Sequence, residues 1–183
     1  MSAMAEKATI FKADLTIADM DRNHFATHAL TLARHPSETD ERMMVRLLAF
    51  ALNADDALTF GRGLASEDEA DLTQRDLTGA IQLWIDVGLP DERSLRKASG
   101  RAGRVVVYAY GGRAVDLWWS KNRVALERLP NFSAFAVPTE ASQALAGLAQ
   151  RTMQLQCTVQ EGHLWFSSTT ETVPITLVAL PPS

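Results

Sequence analysis

The chain of 183 residues is 46% hydrophobic and 22% charged, with a formal net charge of −4 and a pI near 5.5. This length and composition predict one soluble globular domain with a full core. The negative net charge gives no overall attraction to nucleic acid or to anionic membranes, so a nucleic-acid-binding function would need a local basic patch.

The single cysteine and the N-terminal segment limit the cellular context. Cys157 stands alone, which excludes an intramolecular disulfide and a CxxC zinc clamp and predicts a small core residue in a reducing compartment. The N-terminal stretch MSAMAEKATIFKADL has no apolar signal region, and no stretch reaches the roughly 18 apolar residues that a membrane span needs. We therefore expect a cytoplasmic protein with no membrane contact.

The first predicted elements are a β-hairpin or meander and a helix. Ala8–Ile17 and His24–Arg34 are rich in β-branched residues, and turn-forming residues separate them. Ser37 can cap a helix that runs to about Asn53. Asp40 and neighbouring acids fill the first turn of this helix, where the helix dipole favours them.

The middle of the chain predicts the centre of a sheet. Ile81–Val87 (IQLWIDV) has covered residues on both faces, which is typical of a central strand. A helix over Asp91–Ser99 and a second central strand over Arg104–Tyr110 follow it. This strand, helix, strand order predicts a right-handed crossover between parallel neighbours.

The remaining elements complete a one-domain α/β protein of mixed α+β type. They are predicted as short strands at Ala57–Phe60, Asp71–Arg75, Ala114–Ser120 and Phe132–Val137, helices at Asn122–Leu129 and Thr139–Arg151, and two or three antiparallel strands within Met153–Pro181. Trp118 and Trp119 alternate across the predicted strand, so one indole is expected in the core and the other over a groove.

Several enzyme classes lack their motifs. The sequence contains no GxGxxG, GxxxxGK[ST], HExxH or GxSxG pattern, so dinucleotide, P-loop, zincin and serine-hydrolase functions have no local support. His24 and His28 could share a metal on a helix, but on the predicted strand they share a face at a wider separation, which disfavours such a site.

A set of carboxylates is the strongest chemical signal. Asp86 lies inside an apolar strand, where it costs several kcal/mol unless a cation, a proton or an open cleft satisfies it. Glu38 and Glu41 lie at the start of the first helix, either because acids favour a helix N-terminus or because they point at the rim of the core. Carboxylates that converge with a lysine such as Lys97 can form a Mg²⁺ site that hydrolyses phosphodiesters.

Three segments carry a family resemblance: HPSETDERMMVRLLAFALNA, IQLWIDVGLPDERSLRKASGRAGRVVVYAYGG and AVDLWW. Together they resemble the YaeQ family over essentially the whole chain. The resemblance implies a single domain over residues 1–183 that varies the PD-(D/E)XK nuclease core. That core spans about residues 37–137, in a mixed sheet flanked by helices, with extra antiparallel strands at both termini.

The resemblance also implies which acids would hold Mg²⁺, and no other cofactor is indicated. The acid of the first core helix corresponds to Glu38 or Glu41, the acid of the second strand to Asp71, and the acid of the third strand to Asp86. Ala70 stands where the motif has proline.

The lysine of the motif is missing, because Gly88 stands two residues after Asp86. In some members of the superfamily the next helix supplies this lysine, which implies Lys97 here, with Arg93 or Arg96 as substitutes.

Two functions follow. The first is a Mg²⁺-dependent nuclease in which Glu41, Asp71 and Asp86 bind the metal and Lys97 polarises the water or the phosphate. Nucleic acid would then contact a basic stretch formed by Arg93, Arg96, Arg101 and Arg104. The second is a non-catalytic module on the same scaffold, which holds a protein partner near Trp118 and the basic residues 93–113. The missing lysine and the acidic net charge favour the second function.

Overall fold

Two β-sheets and four helices are formed by the residues that the computed structural model describes, which are 7–61 and 68–181. In chain order the elements are β1 Thr9–Asp19, β2 His24–Arg34, α1 Asp40–Asn53, β3 Leu58–Phe60, β4 Leu72–Arg75, β5 Ile81–Val87, α2 Glu92–Arg101, β6 Ala102–Ala109, α3 Arg113–Glu127, β7 Phe132–Ala136, α4 Thr139–Ala146, β8 Thr152–Gln160, β9 His163–Ser167, β10 Thr172–Thr176 and β11 Val178–Leu180. Within these described ranges, every helix is too short or too polar to cross a membrane.

The first sheet has five strands in the order β10-β9-β8-β1-β2. β1 and β2 form the predicted hairpin, with antiparallel pairs from Thr9 and Arg34 to Asp19 and His24, and β1 pairs in parallel with β8. Alternate residues of β1, among them Leu15 and Ile17, are buried on one face, while their neighbours are exposed. The sheet is therefore covered on one side.

The second sheet has six strands in the order β11-β7-β6-β5-β4-β3. β5, β6 and β7 are parallel, with α2 and α3 as the crossovers, so the predicted centre of the sheet is confirmed. The carboxyl ends of parallel strands meet at one edge, and the candidate site lies there.

Alternation along the central strands produces two cores. Val106 and Tyr108 of β6 face α1, which is packed between the two sheets, and α4 joins this first core. Val105 and Val107 face the opposite side, where α2 and α3 cover the sheet. The layers therefore run α2 and α3, six-stranded sheet, α1 and α4, five-stranded sheet.

The prediction of a strand at Ala114–Ser120 was wrong. This segment and the helix predicted at Asn122–Leu129 belong to one helix, α3. Alternation over a few residues is ambiguous, whereas the buried positions Val115, Trp118, Trp119 and Leu126 recur at helical spacing over the longer stretch. Both indoles are consequently buried.

Two helix ends also differ from the predictions. Thr39, and not Ser37, is the N-cap of α1, since its hydroxyl accepts a hydrogen bond from the backbone N–H of Arg42 at 3.1 Å. Ser37 instead hydrogen-bonds with the ring of His35 at 2.7 Å. α4 ends at Ala146 rather than at Arg151, because Gly147, a poor helix former, follows it.

Candidate functional site: a buried cluster of acids and arginines

Three of the predicted acids meet at the carboxyl end of β5. Glu38 precedes α1, Asp71 precedes β4, and Asp86 is the next-to-last residue of β5. The backbone N–H of Asp71 donates to Oδ1 of Asp86 at 3.3 Å, and the backbone N–H of Val87 donates to Oδ2 of Asp71 at 2.8 Å. These two bonds join the segment before β4 to the end of β5.

Two arginines of α1 connect these acids. Nη1 of Arg42 donates to Glu38 at 2.7 Å, and its Nη2 donates to both carboxylate oxygens of Asp71, at 2.7 and 2.9 Å. Arg46, which is fully buried, holds Glu38 through Nε at 2.9 Å and Nη2 at 2.6 Å. The two guanidinium groups offset the buried acidic charge.

Sequence reasoning missed both arginines. The available signal was their spacing, because residues 38, 42 and 46 are each four apart and Arg46 lies within the apolar run of α1. A cation in such a run needs a buried acid beside it.

Burial and charge shift the pKa values of two carboxyl groups. Burial, followed by the nearby charge of Asp71, raises the pKa of Asp86 to about 7, although the indole N–H of Trp84 donates to its Oδ2 at 3.1 Å. Burial also raises the pKa of Asp71, and the Arg42 guanidinium limits that rise. Asp86 is 2% exposed, so of the three alternatives given by the sequence, an open cleft is not the one that satisfies it. The raised pKa favours the protonated form of Asp86.

Glu41 does not join this cluster. Its Oε2 accepts a hydrogen bond from the hydroxyl of Ser142 on α4 at 2.8 Å, which ties α1 to α4. The structure therefore places Glu38, rather than Glu41, with Asp71 and Asp86.

Lys97 and most of the basic residues belong to α2, which covers the face of the six-stranded sheet opposite α1. Lys97 is exposed on α2, whose Leu95 and Ala98 pack into the second core. Three arginines are also exposed there, Arg93, Arg96 and Arg101, whereas the exposed Arg104 of β6 lies on the same face of the sheet as Val106 and Tyr108. Of these, Arg96 pairs with Glu92 at 2.8 Å and Arg101 with Asp68 at 3.5 Å.

The basic residues extend away from the acids. Because α2 returns the chain from the end of β5 to the start of β6, Arg101 and Arg104 lie near the amino ends of the parallel strands. Asp86 lies at the carboxyl ends. The arginines therefore do not surround the acid cluster.

The arrangement of the acids does not fit a Mg²⁺ ion. Each oxygen of Asp71 and Asp86 already accepts a hydrogen bond, and both side chains are almost fully buried. Mg²⁺ prefers octahedral oxygen coordination and keeps several waters, whereas these buried oxygens already accept hydrogen bonds from protein groups. In the part of the chain that the structure describes, no group of three or more His, Cys, Asp or Glu side chains could hold a metal.

The two histidines of β2 are closer than the strand spacing indicates. Nε2 of His24 lies 3.0 Å from Nε2 of His28, because only the small Ala26 stands between them on that face. Partial burial, and then the neighbouring His24, lower the pKa of His28. This contact is a hydrogen bond between two imidazoles.

A surface groove lies beside Trp118, and we call it the Trp118 groove. Its volume is about 360 Å³, and it is lined by Leu89, Pro90, Asp91, Glu92, Leu117, Trp118, Lys121 and Asn122. The indole N–H of Trp118 donates to the Pro90 carbonyl at 2.8 Å and so joins the two walls. Leu117 is 61% exposed and Val124, two turns further along α3, is 64% exposed.

The fold and the cluster define the class of protein. It is a single mixed α+β domain in which a helix between two sheets anchors buried acids at the end of a central parallel strand.

The chain belongs to the YaeQ family, whose model, described as YaeQ protein, matches residues 4–177. It is 44% identical over 176 residues to the uncharacterized protein YaeQ of Escherichia coli K12, covering 96% of this chain and 97% of that one. The corresponding protein of Salmonella typhi is 46% identical over 176 residues, with the same shares covered.

Solved structures agree with this assignment. The crystal structure of the YaeQ protein from Xanthomonas axonopodis pv. citri matches with a TM-score of 0.91 and 48% identity, covering 94% of this chain and 98% of that chain. The YaeQ protein from Pseudomonas syringae matches with a TM-score of 0.90 and 35% identity, covering 94% and 96%. The predicted family and the mixed α+β fold are confirmed.

Proposed function

We propose that this chain is a non-catalytic protein-interaction module on a nuclease-like scaffold. The observation that carries the proposal is the position of Arg42, whose guanidinium group bridges Glu38 and Asp71 inside the acid cluster. Arg42 is partly buried, with 16% of its side chain exposed, and a cation that already offsets these acids removes the electrostatic reason for a divalent cation to bind there. The cluster then serves to attach α1 to β4 and β5.

The Trp118 groove supports the choice of a protein partner. It has an apolar floor and wall from Leu117, Trp118 and Leu89, and exposed apolar groups continue along α3 to Val124. Exposed apolar surface beside a preformed groove is typical of protein-binding sites. The rim carries Asp91 and Glu92 on one wall and Lys121 on the other. We infer that the groove takes an apolar side chain from a partner segment that carries charges of both signs beside it.

The first experiment tests the absence of catalysis. Mn²⁺ is titrated into the full chain and followed by electron paramagnetic resonance, and labelled DNA and RNA are incubated with the protein and Mg²⁺ or Mn²⁺. We expect neither metal binding nor cleavage, and we expect Asp86→Ala and Lys97→Ala to behave like the unaltered chain. Metal-dependent cleavage that Asp86→Ala abolishes, with Lys121→Ala as a matched control that retains it, would overturn the proposal.

The second experiment tests the groove. A photo-crosslinking amino acid replaces Leu117 in cells, and the same amino acid replaces Gln156, an exposed residue of β8, as a control. The protein captured at position 117 is then purified, and its affinity is measured by calorimetry. Leu117→Asp should weaken binding about tenfold or more, whereas Gln156→Asp should leave it unchanged. An affinity that Leu117→Asp does not alter would contradict the groove as the binding site.

A Mg²⁺-dependent nuclease is the second candidate. It is favoured by the gathering of Glu38, Asp71 and Asp86 from three elements at the end of a central strand, as the family resemblance implies. In that function Arg42 would have to leave the carboxylates before a metal could reach them. Arg42→Met should then increase Mn²⁺ affinity, and the titration described above distinguishes this result from the proposed function.

A further inference from the structure

The edges of the two sheets differ in how well they are protected. β10 has five residues with Pro174 at its centre, and β3 and β11 have three residues each. β2 has 11 residues and no proline, and within residues 7–61 and 68–181 it pairs only with β1. Long strands with a free edge are sites where another strand can add.

Hydrogen bonds of β1 show which groups of β2 are free. The backbone N–H of Lys12 donates to Arg151, and that of Met20 donates to Val159, so the even-numbered residues of β1 face β8. Neighbouring residues point their backbone groups to opposite edges, so the odd-numbered residues of β1 face β2. Leu15 pairs with His28, so the backbone groups of the even-numbered residues of β2 face β1.

The free edge of β2 therefore consists of the odd-numbered residues. The carbonyl of Ala33 agrees with this assignment, because it accepts a hydrogen bond from Arg46 of α1 at 3.0 Å rather than from β1. The remaining free backbone N–H and C=O groups belong to Phe25, Thr27, Ala29 and Thr31. All four of these residues are exposed.

We propose that β2 pairs with β2 of a second copy of this chain, antiparallel across a two-fold axis at His28. In this register Thr27 pairs with Ala29 of the second copy, and Phe25 pairs with Thr31 of the second copy. Because all four residues point to the free edge, every one of their N–H and C=O groups gains a partner. The two five-stranded sheets become one continuous sheet.

The side chains of β2 are compatible with self-pairing. From Phe25 to Ala33 the strand contains no Asp, Glu, Lys or Arg, so no formally charged side chains oppose each other. The half-buried inner residues Ala26 and Leu30 would face each other across the axis and be covered further. A two-fold contact uses the same surface twice, which is the commonest way that a chain assembles with itself.

Analytical ultracentrifugation of the full chain tests this proposal. We expect a dimer whose fraction rises with protein concentration. Ala29→Pro removes an N–H that faces the free edge and leaves the pairing of β1 with β2 intact, so it should raise the dimer dissociation constant by about tenfold or more. Leu77→Pro, which places proline at an exposed turn residue, is the control and should leave the dimer unchanged.

A cysteine pair tests the register and keeps the proposal falsifiable if Ala29→Pro fails to fold. His28→Cys should form a disulfide between two copies, since directly opposed residues have Cα atoms about 4.5–5.5 Å apart. Ala29→Cys should not form a disulfide, because the two copies of residue 29 are offset along the strands. Their Cα atoms are then farther apart than the roughly 7 Å that a disulfide can bridge. Cys157 is buried and does not interfere.

Three results would overturn the proposal. A chain that stays monomeric from low to high micromolar concentration would do so. A dimer that Ala29→Pro leaves unchanged while His28→Cys fails to crosslink would show that another surface is used. A monomer whose β2 pairs only with an added extended peptide would assign the edge to a foreign strand.

Discussion

The two faces of the six-stranded sheet differ in which side chains they bury and which they expose. On the α1 face, the charged side chains Glu38, Asp71 and Arg46 are buried and hydrogen-bonded to one another or to the backbone. On the α2 and α3 face, the apolar side chains Leu117 and Val124 are exposed beside a groove. The α1 face encloses arginine–carboxylate pairs, and the other face exposes apolar surface.

The difference separates residues that serve folding from residues that remain available for binding. A buried charge is costly, so each one must find a partner within the fold, and that partner is then occupied. An exposed apolar residue has no such requirement, and a cluster of them is stabilised further only by another molecule. We therefore look for structural roles on the α1 face and for recognition on the α3 face.

The largest expected effect comes from removing a buried cation. Arg46→Met leaves Glu38 with one guanidinium partner fewer in a dry site, so we expect a loss of about 3–5 kcal/mol in the free energy of unfolding. Urea denaturation followed by circular dichroism measures it. The matched control Arg96→Met, which breaks an exposed pair with Glu92, should cost less than about 1 kcal/mol. Similar losses for both variants would mean that the two faces do not differ.

The pH dependence of stability tests the raised pKa of Asp86. Between its ordinary value of 3.8 and about 7, the folded chain keeps a proton that the unfolded chain releases. The stabilisation from this group is therefore complete below pH 3.8 and is lost as pH rises through about 7, with a slope of at most about 1.4 kcal/mol per pH unit.

Asp86→Asn cannot titrate and provides the reference for this measurement. Unfolding free energies of the two chains are compared at intervals from pH 5 to pH 8. The difference between them should change from pH 5 to about pH 7 and level off above that pH. Parallel curves would show that Asp86 is ionised throughout and that the cluster is wetter than its burial indicates.

A smaller effect is expected at the wall of the Trp118 groove. Trp118→Phe removes the hydrogen bond to the Pro90 carbonyl while keeping an aromatic ring in the second core. We expect a loss of about 1 kcal/mol or somewhat more, measured by urea denaturation. The variant should also weaken binding of a partner at the groove. Unchanged stability would indicate that the two walls are held together by other contacts.

The smallest effect on stability is expected at Leu117. Because this side chain is exposed, Leu117→Ser should change the free energy of unfolding by less than about 0.5 kcal/mol. Leu126→Ser, a fully buried position on the same helix, is the matched contrast and should be strongly destabilising. A large loss for Leu117→Ser would assign Leu117 to the core rather than to recognition.

Much of the fold could be predicted because the relevant signals are local. The β1–β2 hairpin, the body of α1 and the parallel pair β5–β6 follow from alternation, from acids in a first helical turn and from the spacing of one helix between two strands. α3 could not be separated from a strand by its first seven residues, because Val115, Leu117 and Trp119 also alternate. The helical spacing of the buried positions becomes visible only over the longer stretch, and packing against α2 and β7 confirms the helix.

The candidate site could be predicted in part. The apolar surroundings of Asp86 indicated that this carboxyl group needs a compensating partner, and the family resemblance placed Asp71 and an acid of the α1 region beside it. The partner itself could not be predicted, since Arg42 reaches Asp71 across 29 positions of the sequence. Lys97 seemed suitable from its place in the sequence, but α2 buries Leu95 and Ala98 and leaves Lys97 exposed, whereas Asp86 is buried.

By itself, the amino-acid sequence determined the family, the mixed α+β class and the need to neutralise Asp86, because periodicity, composition and the cost of burying charge depend on local residues. Only the tertiary structure decided that Asp86 would be buried with a raised pKa, that Arg42 and Arg46 would hold the other acids, and that β2 would pair with β1 alone among the strands of residues 7–61 and 68–181. These outcomes depend on which distant segments meet, and side-chain electrostatics act over a few ångströms of space, whatever the separation along the chain.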